Sequence, residues 1–241
     1  MPRKLLLRRK FKPFSENTKK SSVIAGLRST IDVSLAYLKW PTAIISIYLI
    51  PAFWGILLDT NWTNESLSVF PFFFGLGSYY LLWTHILSNR WWSAYFETFE
   101  HELTHTIFAW ITLHRAKIVK VSAYEGGLMQ VFGGDNWLIT LSPYFFPTLS
   151  FIIIFLFSFL GIVGAPLYLL LGASVCYHIM SCVGELSVEQ PDLTDPTTGV
   201  IFSACIIPAF SAYFYFIILG YLNIGFPSIS YINNILLEYL L

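Results

Sequence analysis

The sequence predicts an all-α membrane protein, with about six transmembrane helices and a short β-hairpin after the third. Two observations carry the class. The chain is 56% hydrophobic and only 12% charged, with a mean hydropathy of +0.64, too little charge to solvate the surface of a soluble domain of 241 residues. Its apolar residues also run in stretches long enough to cross a hydrocarbon core of about 30 Å, separated by short polar turns. A third observation places the one irregular element: between Ala116 and Phe132 the apolar spacing changes from helical to alternating.

Residues 1–32 form a basic segment ahead of the first span, and residues 33–241 are expected to form a single transmembrane domain. The net charge is zero, yet ten of the fourteen Lys and Arg lie between Arg3 and Lys39. The positive-inside tendency keeps such a segment cytoplasmic. It lacks the aromatic interleaving of a nucleic-acid arm, so its expected partners are anionic lipid headgroups and no nucleic acid. Lys4-Leu-Leu-Leu7 is too short a core for a cleavable signal peptide.

The first span runs from about Trp40 to Leu58, with Pro51 as an expected kink. The polar loop Asp59 to Ser66 holds two Asn-x-Ser/Thr patterns, at Asn61 and Asn64. The second span, about Leu67 to Leu87, has Gly75 and Gly77 available for close helix contact. Trp91 and Trp92 mark an interface, and a third helical segment extends from Trp91 to His114. Glu125-Gly126-Gly127 centres the hairpin. Further spans follow at about Trp137 to Gly161, interrupted by Pro143 and Pro147, at about Val163 to Val183, and at about Val200 to Leu222. The tail to Leu241 is apolar enough to lie along the membrane. Cys176, Cys182 and Cys205 all sit in apolar runs without a Cys-x-x-Cys pair, and read as packing residues.

The chemistry is concentrated in His101-Glu102-Leu103-Thr104-His105. On a helix, positions four apart share a face, so both imidazoles can reach one zinc ion. Glu102 is rotated one step round, suited to act as general base on a zinc-bound water. Three ionisable side chains in one apolar helix would each be costly without a partner.

A catalytic zinc needs a third protein ligand. Asp192 in the late acidic loop is the first choice, because nothing local occupies it. Asp195 is the second, since Asp-Pro-Thr-Thr ahead of an apolar run also reads as a helix cap. His178 is the third, with an orienting role for Asp192 as its alternative. Glu185 and Glu189 rank lower.

An apolar chain with His-Glu-x-x-His on a helix, then a hairpin, then the Pro-rich Leu141-Ser-Pro-Tyr-Phe-Phe-Pro147, then a late acidic loop, resembles the site-2-protease-like intramembrane zinc metallopeptidases, in particular compact members without a PDZ domain. The resemblance covers about Trp91 to Phe210. It implies Zn2+ held by His101, His105 and a distant aspartate, water activated by Glu102, and a hairpin that helps hold an unwound substrate as an extended strand. The implied activity is endoproteolysis in or near transmembrane segments, with membrane proteins or signal-peptide-like segments as substrates. The family's Asn…Pro…Asp-Gly element is replaced by Gln190-Pro-Asp-Leu193. Counting spans from a cytoplasmic N-terminus also leaves Arg115, Lys117 and Lys120 on the side the charge rule disfavours. The competing expectation is a non-catalytic membrane protein that keeps the scaffold to bind or chaperone partner helices. A desaturase-like di-iron enzyme is disfavoured, because the five histidines include no His-His pair.

Overall fold

The computed structural model describes residues 19–59, 66–186, 190–195 and 197–240. The loop with Asn61 and Asn64, Glu189 and residues 1–18 of the basic segment lie outside the described residues. The chain is mostly helical: α1 (Lys19–Asp59), α2 (Ser66–Leu82) extended by a π turn (Trp83–Leu87), α3 (Trp91–Ile111), α4 (Trp137–Phe145), α5 (Thr148–Phe159), α6 (Ala165–Glu185), the single turn α7 (Pro191–Thr194), α8 (Val200–Ile224) and α9 (Ser228–Leu240). Between α3 and α4 lies the expected antiparallel hairpin, β1 (Arg115–Ser122) and β2 (Gly126–Phe132).

Among the described residues, three helical stretches are long and apolar enough to cross a membrane: Val23–Phe53, Ala165–Glu185 and Val200–Ile224. Trp137–Phe145 and Thr148–Phe159 add a fourth if the pair broken at Phe146 and Pro147 counts as one span. The difference from about six has a local cause. The motif helix α3 carries Glu97, Glu100 and Glu102, and α2 is only 17 residues long before its π turn. The chain reads as an integral membrane protein. The expected break between a basic surface segment and a first span at Trp40 is not seen: α1 is one helix through Pro41 and Pro51. Proline is tolerated inside apolar helices where neighbouring groups satisfy the freed carbonyls.

The chain divides into two compact units. The first comprises the chain up to Ala43, Ser88–Tyr144 and Glu185–Ala204. Its core joins Ala109 of α3 to Met129 and Val131 of β2 and Ile139 of α4. The register pairs Arg115 with Phe132 and Ser122 with Gly126, with a bulge between Ile118 and Lys120. That extra residue, Val119, keeps Lys120 on the exposed face with Arg115 and Lys117, while Ala116, Ile118 and Val121 turn inward. Thr98 of α3 donates to the Ser122 carbonyl at 3.4 Å, so the hairpin doubles back along the motif helix. α1 is tied to the base of this assembly. Asp32 takes a hydrogen bond from Asn136 Nδ2 at 2.7 Å and lies 3.2 Å from His114 Nε2, and the Trp137 indole donates to the Leu35 carbonyl at 2.8 Å.

The second unit comprises Ile44–Leu87, Phe145–Gly184 and Cys205–Leu241. Here α2 and α6 meet backbone to backbone. A Cβ at Gly75 would collide with the Leu169 carbonyl and one at Gly172 with the Phe72 carbonyl, whereas Gly77 has open space. Phe72, Ile154, Leu167, Leu171, Val175 and Ile218 pack round that contact. The C-terminal tail is a helix that buries Ile232 and Leu236 against Phe53 and Phe216.

Candidate metal centre

The centre starts from α3. His101 and His105, one helical turn apart, are both buried, with ring centroids 4.6 Å apart and Nε2 atoms 3.0 Å apart. The turn α7 brings the third group. Asp192 Oδ2 lies 3.4 Å from His101 Nε2 and 3.3 Å from His105 Nε2. His101, His105 and Asp192 are the group of potential metal ligands among the described residues.

The donor chemistry fits a metal ion. His105 Nδ1 lies 2.7 Å from the Ile139 carbonyl, and a carbonyl only accepts, so Nδ1 carries the proton. His101 Nδ1 faces Glu185 Oε2 at 2.7 Å and is protonated for the same reason. With both rings neutral, as metal ligands must be, each Nε2 turns a lone pair toward the other and toward a carboxylate oxygen. Three electron-rich atoms within 3.4 Å of one another repel unless a cation lies among them. Three ligand atoms at tetrahedral directions around zinc, with bonds near 2.0–2.1 Å, would be about 3.3 Å apart. The observed separations of 3.0, 3.3 and 3.4 Å match that spacing.

Glu102 lines the same cavity, which has a volume of about 40 Å3 and is also bounded by Gly127, Met129 and Pro191. That is room for water and far too little for a peptide. Gly127 of β2 lies directly against Glu102. A Cβ there would overlap the glutamate's Cγ, Cδ and Oε1, so the strand can approach the carboxylate only because this residue is glycine.

Residues 72–184 match the model of the family described as peptidase M50B-like. That segment, a little under half of the chain, is similar to the site-2-protease-like peptidases. The matched segment contains the His-Glu-x-x-His helix and the hairpin but ends before Asp192. Neither a curated protein nor a solved structure gives a significant match to the chain.

The other expected ligands are engaged elsewhere. Asp195 Oδ1 accepts from the Thr197 backbone N–H at 2.8 Å and its hydroxyl at 2.7 Å, closing a local turn at the end of α7; it lies five residues before α8 and does not cap that helix as its sequence context suggested. His178 Nδ1 lies 2.6 Å from the Tyr215 hydroxyl, with Cys182 Sγ 3.5 Å from Nε2. Neither residue joins the metal-ligand group. Glu97 and Glu100 are buried on α3, accepting from Ser93 Oγ at 3.2 Å and Thr104 Oγ1 at 3.3 Å respectively.

Sequence reasoning did not anticipate the groups behind the ligands. Tyr144 donates to Asp192 Oδ2 at 3.4 Å and accepts from Gln190 Nε2 at 2.9 Å, so the residue two before Asp192 braces it through a tyrosine on α4. The Ile139 carbonyl and Glu185 hold the two imidazoles. No sequence signal identifies a backbone carbonyl as a partner. Gly127 carried only an ambiguous one, since beside Gly126 it reads as part of the hairpin turn and only its place in β2 marks a close backbone approach.

Proposed function

We propose that this chain is a membrane-embedded zinc endopeptidase acting on peptide bonds in or near transmembrane segments. The observation that carries the reading is the convergence of His101 Nε2, His105 Nε2 and Asp192 Oδ2 beside Glu102 in one small cavity. His101, His105 and Asp192 would hold the ion and leave one position open, as a catalytic rather than a structural zinc requires. Zinc held there supplies a Lewis acid that polarises a peptide carbonyl and makes water acidic enough to ionise near neutral pH. Glu102 takes the proton from the attacking water and delivers it to the leaving amine.

The cavity's size bears on the substrate. A regular transmembrane helix shields its peptide bonds, and a cavity of about 40 Å3 does not admit one. The substrate is therefore expected to unwind and lie extended beside β2, whose Gly127, Leu128 and Met129 line the cavity. Single-span proteins or signal-peptide-like segments with helix-weakening residues suit that requirement. The complete ligand set with the glutamate alongside favours hydrolysis over a non-catalytic scaffold role. We further read the basic N-terminus as cytoplasmic; because Asp32 of α1 lies against His114 just past the end of α3, α2 and α3 do not both add full crossings to those of α1, the α4 and α5 pair, α6 and α8.

The test is Glu102→Gln, assayed on reporter transmembrane segments in proteoliposomes. Loss of cleavage by a factor of about 10²–10⁴, with metal content unchanged, is the expected result. Undiminished cleavage would remove Glu102 from the mechanism.

A further inference from the structure

The carboxylate behind His101 has no role in the reaction as described. Glu185, the last residue of α6, places Oε2 2.7 Å from His101 Nδ1, with both side chains about nine-tenths buried at 11% and 10% exposure. We propose that Glu185 is the positioning residue of the metal centre, fixing the tautomer and ring orientation of His101 so that Nε2 faces the ion. The inference rests on the metal-centre reading and deepens it.

The two imidazoles are held differently. His105 is anchored by the Ile139 backbone carbonyl, which side-chain substitution cannot remove. His101 has a side-chain carboxylate in the equivalent place. An imidazole offers two nitrogens to a metal, and the hydrogen bond at one decides which lone pair is presented at the other. Glu185 lies against Nδ1, on the opposite side of the ring from the Asp192 oxygen at Nε2, so it accepts from His101 and is not a fourth ligand. An anionic acceptor also makes the imidazole a stronger electron donor than a neutral carbonyl does. Glu185 and Asp192 lie seven positions apart, so one stretch of chain supplies both an orienting carboxylate and a ligand.

The experiment is a cobalt titration of the full chain, purified in detergent and stripped of metal, comparing wild type with Glu185→Gln and Glu185→Ala. The readouts are the Co2+ dissociation constant, the visible absorption of bound Co2+, and thermal unfolding of the metal-free protein. Glu185→Ala is expected to weaken Co2+ binding by about 10–100-fold and to alter the absorption bands. Glu185→Gln, whose amide oxygen still accepts from Nδ1–H, is expected to keep the wild-type bands with a smaller loss of affinity. Unfolding of the metal-free protein is expected to be the same for all three, which separates positioning from a general structural role. Unchanged affinity and bands in both variants, beside a wild type that binds cobalt, would overturn the Glu185 assignment alone. A wild type that binds no cobalt would overturn the metal-centre reading and the assignment with it.

Discussion

Glu102 has its freedom limited by a strand that carries no side chain where the two meet. Because a Cβ at Gly127 would overlap the glutamate's Cγ, Cδ and Oε1, Gly127→Ala must push the carboxylate away from its place beside His101 and His105. Misplacing a reacting group by about 1 Å costs on the order of 10²-fold in rate. Gly127→Ala is therefore expected to cut cleavage by about that factor while zinc content stays at the wild-type level, read by peptide assay and elemental analysis on the same preparation. Asp192 is supported less rigidly. Its bond from Tyr144 is long, at 3.4 Å, so Tyr144→Phe is expected to weaken metal binding by about 1 kcal/mol or less, far below the effect of Asp192→Ala. Titration with a competing chelator distinguishes these outcomes. The residue pattern revealed the two histidines and the glutamate because helical spacing alone puts them together. It ranked Asp192 above Asp195 because Asp195 had a local use; the use is a turn closed on Thr197 at the end of α7, where a cap of α8 was expected. Glu185 was ranked low as a ligand and is absent from the ligand group, but its contact with His101 was not legible, since its partner nitrogen lies 84 positions earlier in the chain and no local pattern connects them.

At the scale of elements, α3 ends in a closed turn that launches β1. The His114 N–H bonds the Ala109 carbonyl at 2.7 Å and the Leu113 N–H bonds the Trp110 carbonyl at 3.0 Å, the paired pattern of a Schellman cap. The position that normally takes glycine is Leu113, at φ 62°. A leucine there costs about 1–2 kcal/mol of backbone strain. Leu113→Gly is accordingly expected to raise stability by up to about 1 kcal/mol, the remainder being offset by glycine's extra unfolded-state freedom, as measured by thermal unfolding in detergent. The α2 and α6 contact predicts the opposite sign. Gly172→Val forces its side chain into the Phe72 carbonyl and is expected to destabilise by about 1–3 kcal/mol, whereas Gly77→Ala meets nothing within 4 Å and is expected to be neutral. Periodicity made the hairpin and most helices legible, because the change from a period near 3.6 to one of 2 is visible in the residues themselves. It did not reveal the unbroken α1, where charged residues around Arg28 to Lys39 read as surface while Asp32 and Leu35 in fact bond to His114, Asn136 and Trp137. Nor did it show that one face of the tail, Ile232 and Leu236, packs against Phe53 and Phe216.

For the molecule as a whole, the bonds from Asp32 to His114 and Asn136 link the basic half of α1 to the base of the hairpin. That places Arg28 on the same side as Arg115, and the positive charges that span counting divided fall together. Single cysteines introduced at these two positions, in a background lacking Cys176, Cys182 and Cys205, are expected to react with an impermeant maleimide from one and the same side of sealed vesicles. Reaction from opposite sides would show that α1 and the hairpin base are not joined as described. The central claim, that two imidazoles and a carboxylate from distant parts of the chain share one ion, is tested most directly by counting that ion. Elemental analysis of the purified chain is predicted to find one zinc per molecule, lost in His101→Ala, in His105→Ala and in Asp192→Ala alike; a metal-free wild type, or zinc fully retained without Asp192, would contradict it.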